Sequence, residues 1–279
     1  MKALITGGAG LLGRHLVAAT PEGWTAEVTI HRSPVAAGVK AHRVDLAQPL
    51  AFFEVVERRR PDLVIHTAYS KDNGRITVDS TTEVASACAA LDLPLMHVST
   101  DALFDGDNAP YAEDAVPAPI HAYGRSKALA ERAVLDACPD AIVVRTSLIL
   151  AADGTDQTSA WAIERLRAGD RVTFFDDEFR MPIFADDLAA QMWEIVGLPE
   201  PERRGVWHLV GPERLSRADV GRVLCDRFGL DLSLVDVASA ATVPDPRPRD
   251  VCLSSIRTAS LTRRARPIGK VSSHGQTNG

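Results

Sequence analysis

The chain has 279 residues and a mass of 30.0 kDa, enough for one large domain or one domain with a modest appendage and too little for a multidomain assembly. Apolar residues at 46% and charged residues at 24% describe a folded, water-soluble chain with a sizeable core, which excludes wholesale disorder. A formal charge of −6 with scattered basic residues offers no basic face to nucleic acid or to an anionic bilayer.

The first predicted element is a strand over 3–6, and it ends in Thr6-Gly7-Gly8-Ala9-Gly10-Leu11-Leu12-Gly13. Gly7, Gly10 and Gly13 follow the spacing G-x-x-G-x-x-G between a strand and a helix over 11–19. Such a turn needs residues without Cβ for the tight bend, for backbone approach to a pyrophosphate and for close helix–strand contact, and the helix N-terminus then faces the anion. We read Gly7, Gly10, Leu11, Leu12 and Gly13 as cofactor-binding. The second strand, 27–31, ends in His31-Arg32-Ser33, where an NAD fold carries a carboxylate for the ribose diol. A guanidinium and a hydroxyl suit a 2′-phosphate, so NADPH is the expected cofactor with NADH still open. The alternative is that Arg32 is a solvated loop residue. The third strand, 41–45, places Asp45 and Leu46 at the adenine, and the fourth, 62–67, places Thr67, Ala68 and Tyr69 at the ribose and nicotinamide. Either group also reads as a plain strand-end turn.

Helices over 50–59, 78–91 and 123–137 alternate with further strands over 94–99 and 141–146. Most of these strands are apolar on both faces, as in a parallel sheet covered on both sides. The pattern predicts an α/β fold, a Rossmann-type doubly wound parallel sheet of six strands with a smaller C-terminal substrate-binding region, whose ligands gather at the strands' carboxyl ends. The fifth strand ends in Ser99-Thr100-Asp101, and Tyr123 and Lys127 follow four apart on one helix face. A lysine ammonium there favours the phenolate and lowers the phenol pKa toward that of a working general acid. Past residue 150 the rhythm loosens into a polar loop over 152–158, a helix over 160–168, a strand over 172–175, a helix over 185–196, a linker over 199–204, a strand over 206–210 and a helix opened by Ser216-x-x-Asp219. The expected division is a cofactor domain over 1–150 to which 176–198 returns, a substrate region over 151–175 and 199–262, and a mobile tail over 263–279.

Together these blocks resemble the extended short-chain dehydrogenase/reductase superfamily, and within it the dTDP-4-dehydrorhamnose reductase family. The narrower resemblance rests on Ser99-Thr100-Asp101-Ala102-Leu103-Phe104-Asp105-Gly106, similar to that family's S-T-D-Y-V-F-D-G. It rests also on Tyr123-Gly124-Arg125-Ser126-Lys127, Val144-Arg145-Thr146-Ser147, the block from Pro182 to Ala189, and Arg247-Pro248 with Leu253. It implies Thr100, Tyr123 and Lys127 as catalytic trio, Asp101 beside the substrate, and hydride delivery to the 4-keto group of a nucleotide-linked deoxysugar. The chain departs from the pattern at Ala102, at Leu148-Ile149-Leu150-Ala151, and around Arg180-Met181-Pro182. Asp101, Ala102, Arg180, Pro182 and Arg247 are therefore the expected substrate residues. A ketoreductase of a non-sugar metabolite, a sugar-nucleotide epimerase or dehydratase, and a non-catalytic regulatory subunit remain as alternatives.

Other signals are bland. His66 and His97 sit inside apolar strands as core imidazoles, no histidine pair has metal-ligand spacing, and no metal site is expected. The four cysteines (Cys88, Cys138, Cys225 and Cys252) read as reduced, packed thiols. The first apolar run is too short for a signal peptide, and no stretch reaches the ~18 apolar residues of a membrane span. The expected compartment is the cytoplasm, and the expected partners are a small molecule and, for assembly, a second copy in a homodimer.

Overall fold

The computed structural model describes residues 1–70 and 73–269. The first half runs β1 (Lys2–Thr6), α1 (Leu11–Ala18), β2 (Thr25–Ile30), β3 (Lys40–Arg43), α2 (Ala51–Arg59), β4 (Leu63–His66), α3 (Gly74–Ala90), β5 (Leu95–Thr100), α4 (Ala122–Ala137) and β6 (Ile142–Thr146). The second half runs β7 (Ile149–Leu150), α5 (Gln157–Arg167), β8 (Val172–Phe175), β9 (Phe179–Arg180), β10 (Ile183–Phe184), α6 (Ala185–Val196), α7 (Glu200–Arg203), β11 (Gly205–Leu209), β12 (Leu215–Ser216), α8 (Arg217–Phe228) and β13 (Val235–Ala238). Seven strands form one parallel sheet in the order β11-β6-β5-β4-β1-β2-β3.

Alternate residues of the central strands feed two separate cores, because strand side chains point to opposite faces. Ala3, Ile5, Leu63, Ile65, Met96 and Val98 pack with α1 and α6 on one face. On the other, Leu4, Val64, Leu95 and Val143 pack with Phe52 of α2, Val84 of α3 and Val134 of α4. The strand order reverses between β1 and β4, and that switch point is where an open α/β sheet leaves a crevice at its carboxyl edge.

The seventh strand corrects the expected division. β11, assigned by sequence to the substrate region, pairs with β6 from Gly205↔Ile142 to Leu209↔Thr146. The polar linker before it is no boundary; Arg204 is held there by Asp140 at 2.6 Å and Glu200 at 2.7 Å. The return of the chain to the sheet begins at Ile183 rather than at 176: Ile183 is buried in the same core, α6 packs on α1, and the Trp193 indole donates to the Leu16 carbonyl at 2.9 Å. Residues 172–182 instead belong to a smaller lobe, where β7 pairs with β10, β8 with β13 and β9 with β12 around Phe174, Leu166 and Leu224, with Phe184 turned into the same cluster. Ser216 and Asp219 form the capping box that opens α8.

The expected tail is in part a strap. Thr262 and Arg263 are bound by the Glu194 carboxylate, Arg266 pairs with Asp187 at 3.0 Å, and Ile268 is 1% exposed in the lobe's core. The remainder, 270–279, lies outside the described residues. Among the described residues no helix is long and apolar enough to cross a membrane.

Candidate active site

The turn after β1 is built around absent side chains. Gly7 has φ of +71°, and a Cβ there would lie 2.9 Å from Thr67 Oγ1 and 3.1 Å from the Ala68 nitrogen. A Cβ on Gly13 would meet the Gly7 carbonyl oxygen at 2.4 Å. Gly10 is the N-cap of α1 without any side-chain cap, which leaves the first N–H groups of the helix open to an anion. Gly8, overlooked in the sequence, is equally constrained, because its Cβ would fall 2.3 Å from that of Val28.

A cleft of about 1100 Å³ runs from this turn along the carboxyl edge of the sheet. It is lined by Gly7, Gly10, Leu11, Leu12 and Gly13, by His31, Arg32, Asp45 and Leu46, by Thr67, Ala68 and Tyr69, and by Thr100, Tyr123 and Lys127. The structure thus brings fifteen expected positions from six chain segments into one cavity. Ser33 does not line it, and neither do Asp101, Ala102, Arg180, Pro182 and Arg247. Arg14, Ser99, Ser147 and Thr155 to Thr158 do, and were not foreseen. The strand-end rule covers Ser99 and, extended to β6, would have found Ser147; nothing local marks Arg14 or Thr155 to Thr158.

The reactive centre is assembled where α4 docks onto the end of β5. His121 caps α4, its Nδ1 accepting the Gly124 N–H at 2.8 Å. Gly124 is required because a Cβ would sit 2.2 Å from the Ala102 carbonyl oxygen, and this close approach sets the Tyr123 phenol in hydrogen-bonding reach of the Thr100 hydroxyl. Ala102 itself is 8% exposed under that contact, so it forms no vacancy in the cleft. Below, Lys127 Nζ donates to the Val98 carbonyl at 2.7 Å. Burial lowers its pKa from 10.5 to about 8, with Glu131 acting in the other direction. The expected lowering of the tyrosine pKa is not found. Burial raises the Tyr123 phenol above its ordinary value, Tyr69 adds to the rise, and the Thr100 hydrogen bond offsets part of it.

Asp101, also buried, receives the Ser147 hydroxyl at 2.6 Å and the Thr100 hydroxyl at 3.3 Å. Burial raises its pKa, opposed first by Arg180, whose Nε lies 3.9 Å away. Arg180 belongs to a charge cluster centred on buried Glu178, with Arg180 Nη2 and Arg247 Nε each 3.1 Å from that carboxylate and Arg217 Nε at 3.9 Å. Glu178 and Arg217 were not anticipated, because the cluster joins β9, the first residue of α8 and the loop at 247. The Pro182 carbonyl oxygen lies 1.8 Å from where a Cβ on Gly211 would stand, so that crossing requires glycine.

A family model described as RmlD substrate binding domain matches residues 1–265. The chain is 32% identical over 274 residues to a probable low-salt glycan biosynthesis reductase of Haloferax volcanii, covering 91% of this chain and 89% of that one. It is 33% identical over 264 residues to a dTDP-4-dehydrorhamnose reductase of Mycobacterium tuberculosis, covering 88% and 82%. The crystal structure of a hypothetical dTDP-4-dehydrorhamnose reductase from Sulfolobus tokodaii superposes with a TM-score of 0.82 at 27% identity, covering 98% of this chain and all of that one.

Proposed function

The chain belongs to the RmlD substrate binding domain family, and from that premise we propose that it is an NADPH-dependent reductase of a keto group, acting on a nucleotide-linked 4-keto-6-deoxysugar. The observation that carries the reading is that Thr100, Tyr123 and Lys127 line one wall of the dinucleotide-shaped cleft together, with Lys127 Nζ held by the Val98 carbonyl.

The residues present fit the cofactor. The uncapped N-terminus of α1 and the side-chain-free face of Gly7 suit a pyrophosphate. Arg14 and Arg32 line the cleft, and among the described residues neither guanidinium has a hydrogen bond or ion pair, which leaves both for a 2′-phosphate. When bound, the reduced nicotinamide supplies the hydride. Tyr123, kept protonated by burial, donates its proton to the oxygen of the ketone as that oxygen gains charge. Thr100 holds the same oxygen, and Lys127, still charged below pH 8, fixes the ribose side of the cleft.

The lobe's charge supports an anionic substrate. Three guanidiniums around Glu178, with Asp101 as the only other carboxylate paired to them among the described residues, leave surplus positive charge beside Thr100. The names of the relatives supply the sugar. All four cysteines are free thiols, which fits a reducing cytoplasm. The test is loss of NADPH absorbance with a panel of dTDP-, UDP- and GDP-linked 4-keto sugars against simple ketones. Turnover confined to simple ketones would replace the sugar with another metabolite; no turnover with any member would refute the reductase.

A further inference from the structure

Two turns frame the middle of the cleft, one after β1 and one after β4, and a single buried hydroxyl ties them together. Thr6, the last residue of β1, has no exposed surface. Its Oγ1 accepts the backbone N–H of Thr67 at 3.1 Å and of Ala68 at 3.2 Å, while Thr67 Oγ1 donates back to the Thr6 carbonyl at 2.6 Å. A hydroxyl has two lone pairs and one proton, so with both lone pairs taken the proton must go to its remaining neighbour, His66 Nδ1, 2.7 Å away. That assignment fixes the imidazole: Nδ1 accepts, and Nε2 carries the hydrogen and donates to Thr81 Oγ1 on α3 at 3.0 Å. Burial holds the ring's pKa down at about 3, so at working pH no proton arrives to turn Nδ1 into a donor. The ring is also stacked on His97, with centroids 5.4 Å apart.

The consequence reaches the cavity wall. With the hydroxyl aimed at His66, the Thr67 and Ala68 amides are drawn inward, and Thr67 Oγ1 comes to rest where a Cβ on Gly7 would be 2.9 Å away. The Thr67-Ala68 wall, which would carry the nicotinamide ribose, is thus shaped by a histidine that does not line the cleft.

We propose that His66 is a positioning residue for the dinucleotide: as an obligatory acceptor for Thr6, it sets the Thr67-Ala68 turn at the spacing that the cofactor needs. This rests on the reading of the cleft as a dinucleotide site. Calorimetric titration of the full chain with NADPH alone tests it without any assumption about the substrate. His66→Phe keeps the ring's bulk but removes the acceptor, and NADPH affinity falls about tenfold. His66→Asn, whose amide oxygen stands in for Nδ1, stays within about threefold of wild type. Thr6→Val weakens binding about as much as His66→Phe, and the double variant is no weaker than Thr6→Val alone, because the two residues act through one bond. If the ring substitution prevents folding, Thr6→Ser and Thr6→Val carry the same contrast, the first binding like wild type and the second about tenfold more weakly. Equal losses in His66→Asn and His66→Phe, additive losses in the double variant, or Thr6→Val binding like wild type would overturn the inference alone. A wild type that binds neither NADPH nor NADH would overturn the cofactor reading beneath it.

Discussion

On the proposed reading, the sheet edge and the smaller lobe receive negatively charged ligands by opposite means. At the sheet edge an anion would meet backbone: open amides at the start of α1, glycines that let it approach, and a turn clamped by Thr6 and His66. In the lobe it would meet side chains, the guanidiniums of Arg180, Arg217 and Arg247, arranged around the buried carboxylate of Glu178. A backbone site is rigid and ties cofactor binding to the fold itself. A side-chain site can be altered one residue at a time, so substrate choice can diverge while the cofactor half stays fixed.

That contrast can be broken most severely at the boundary between the two regions. Tyr123→Phe keeps the ring and removes the proton, so kcat should fall by at least ~10² while the Kd for NADPH stays near wild type. A variant that keeps more than about a tenth of wild-type kcat would take Tyr123 out of the acid role. Arg32→Ala acts on a part of the proposed cofactor site made of side chains. It should cost NADPH on the order of 1.5–3 kcal/mol of binding and leave NADH unaffected. No loss for either nucleotide in titration calorimetry would assign Arg32 to the solvated loop, and equal losses for both would remove the 2′-phosphate from its role.

Arg247→Ala should separate the regions cleanly. We expect KM for the keto substrate to rise about threefold to tenfold, with NADPH affinity unmoved. A loss confined to NADPH would reverse the assignment of the two regions. The smallest effect is that of pH on Lys127. Its folded pKa is depressed from 10.5 to about 8, so between those values the unfolded chain binds a proton that the folded chain does not. This group's contribution to stability therefore rises with pH from about 8 to 10.5 and is flat below. Cofactor affinity runs the other way, falling a few-fold as the ammonium discharges above pH 8. An affinity profile that is flat through pH 8 to 10 would show that the charge of Lys127 does not hold the cofactor.

The same contrast explains what could be read from the chain. Gly7, Gly10 and Gly13 lie within seven consecutive residues, and their spacing is dictated by a local backbone geometry, so the pattern is visible in sequence. Tyr123 and Lys127 are one helical turn apart and equally visible. Glu178, Arg217 and Arg247 come from three remote segments, and β12 must pair with β9 before they meet, so no spacing rule connects them. β11 was assigned to the wrong region for a related reason: a polar linker over 199–204 looks alike whether the chain leaves the sheet there or returns to it. Tyr123 shows the limit of residue-type reasoning about pKa: burial, which depends on how α4 docks onto the sheet, is the largest influence on its phenol, and the lysine one turn along does not lower it.

The most direct test of the account follows the hydride. NADPH deuterated at the transferring C4 position is mixed with the full-length protein and a dTDP-linked 4-keto-6-deoxyhexose, and the product is read by mass spectrometry. The account predicts one deuterium on the sugar carbon that bore the ketone, one NADPH oxidised per product, and loss of both signals in Tyr123→Phe. An unlabelled product formed without net oxidation of NADPH would contradict it and make the protein an epimerase or dehydratase, as would labelled product formed equally well without the Tyr123 hydroxyl contradict the proton-transfer step.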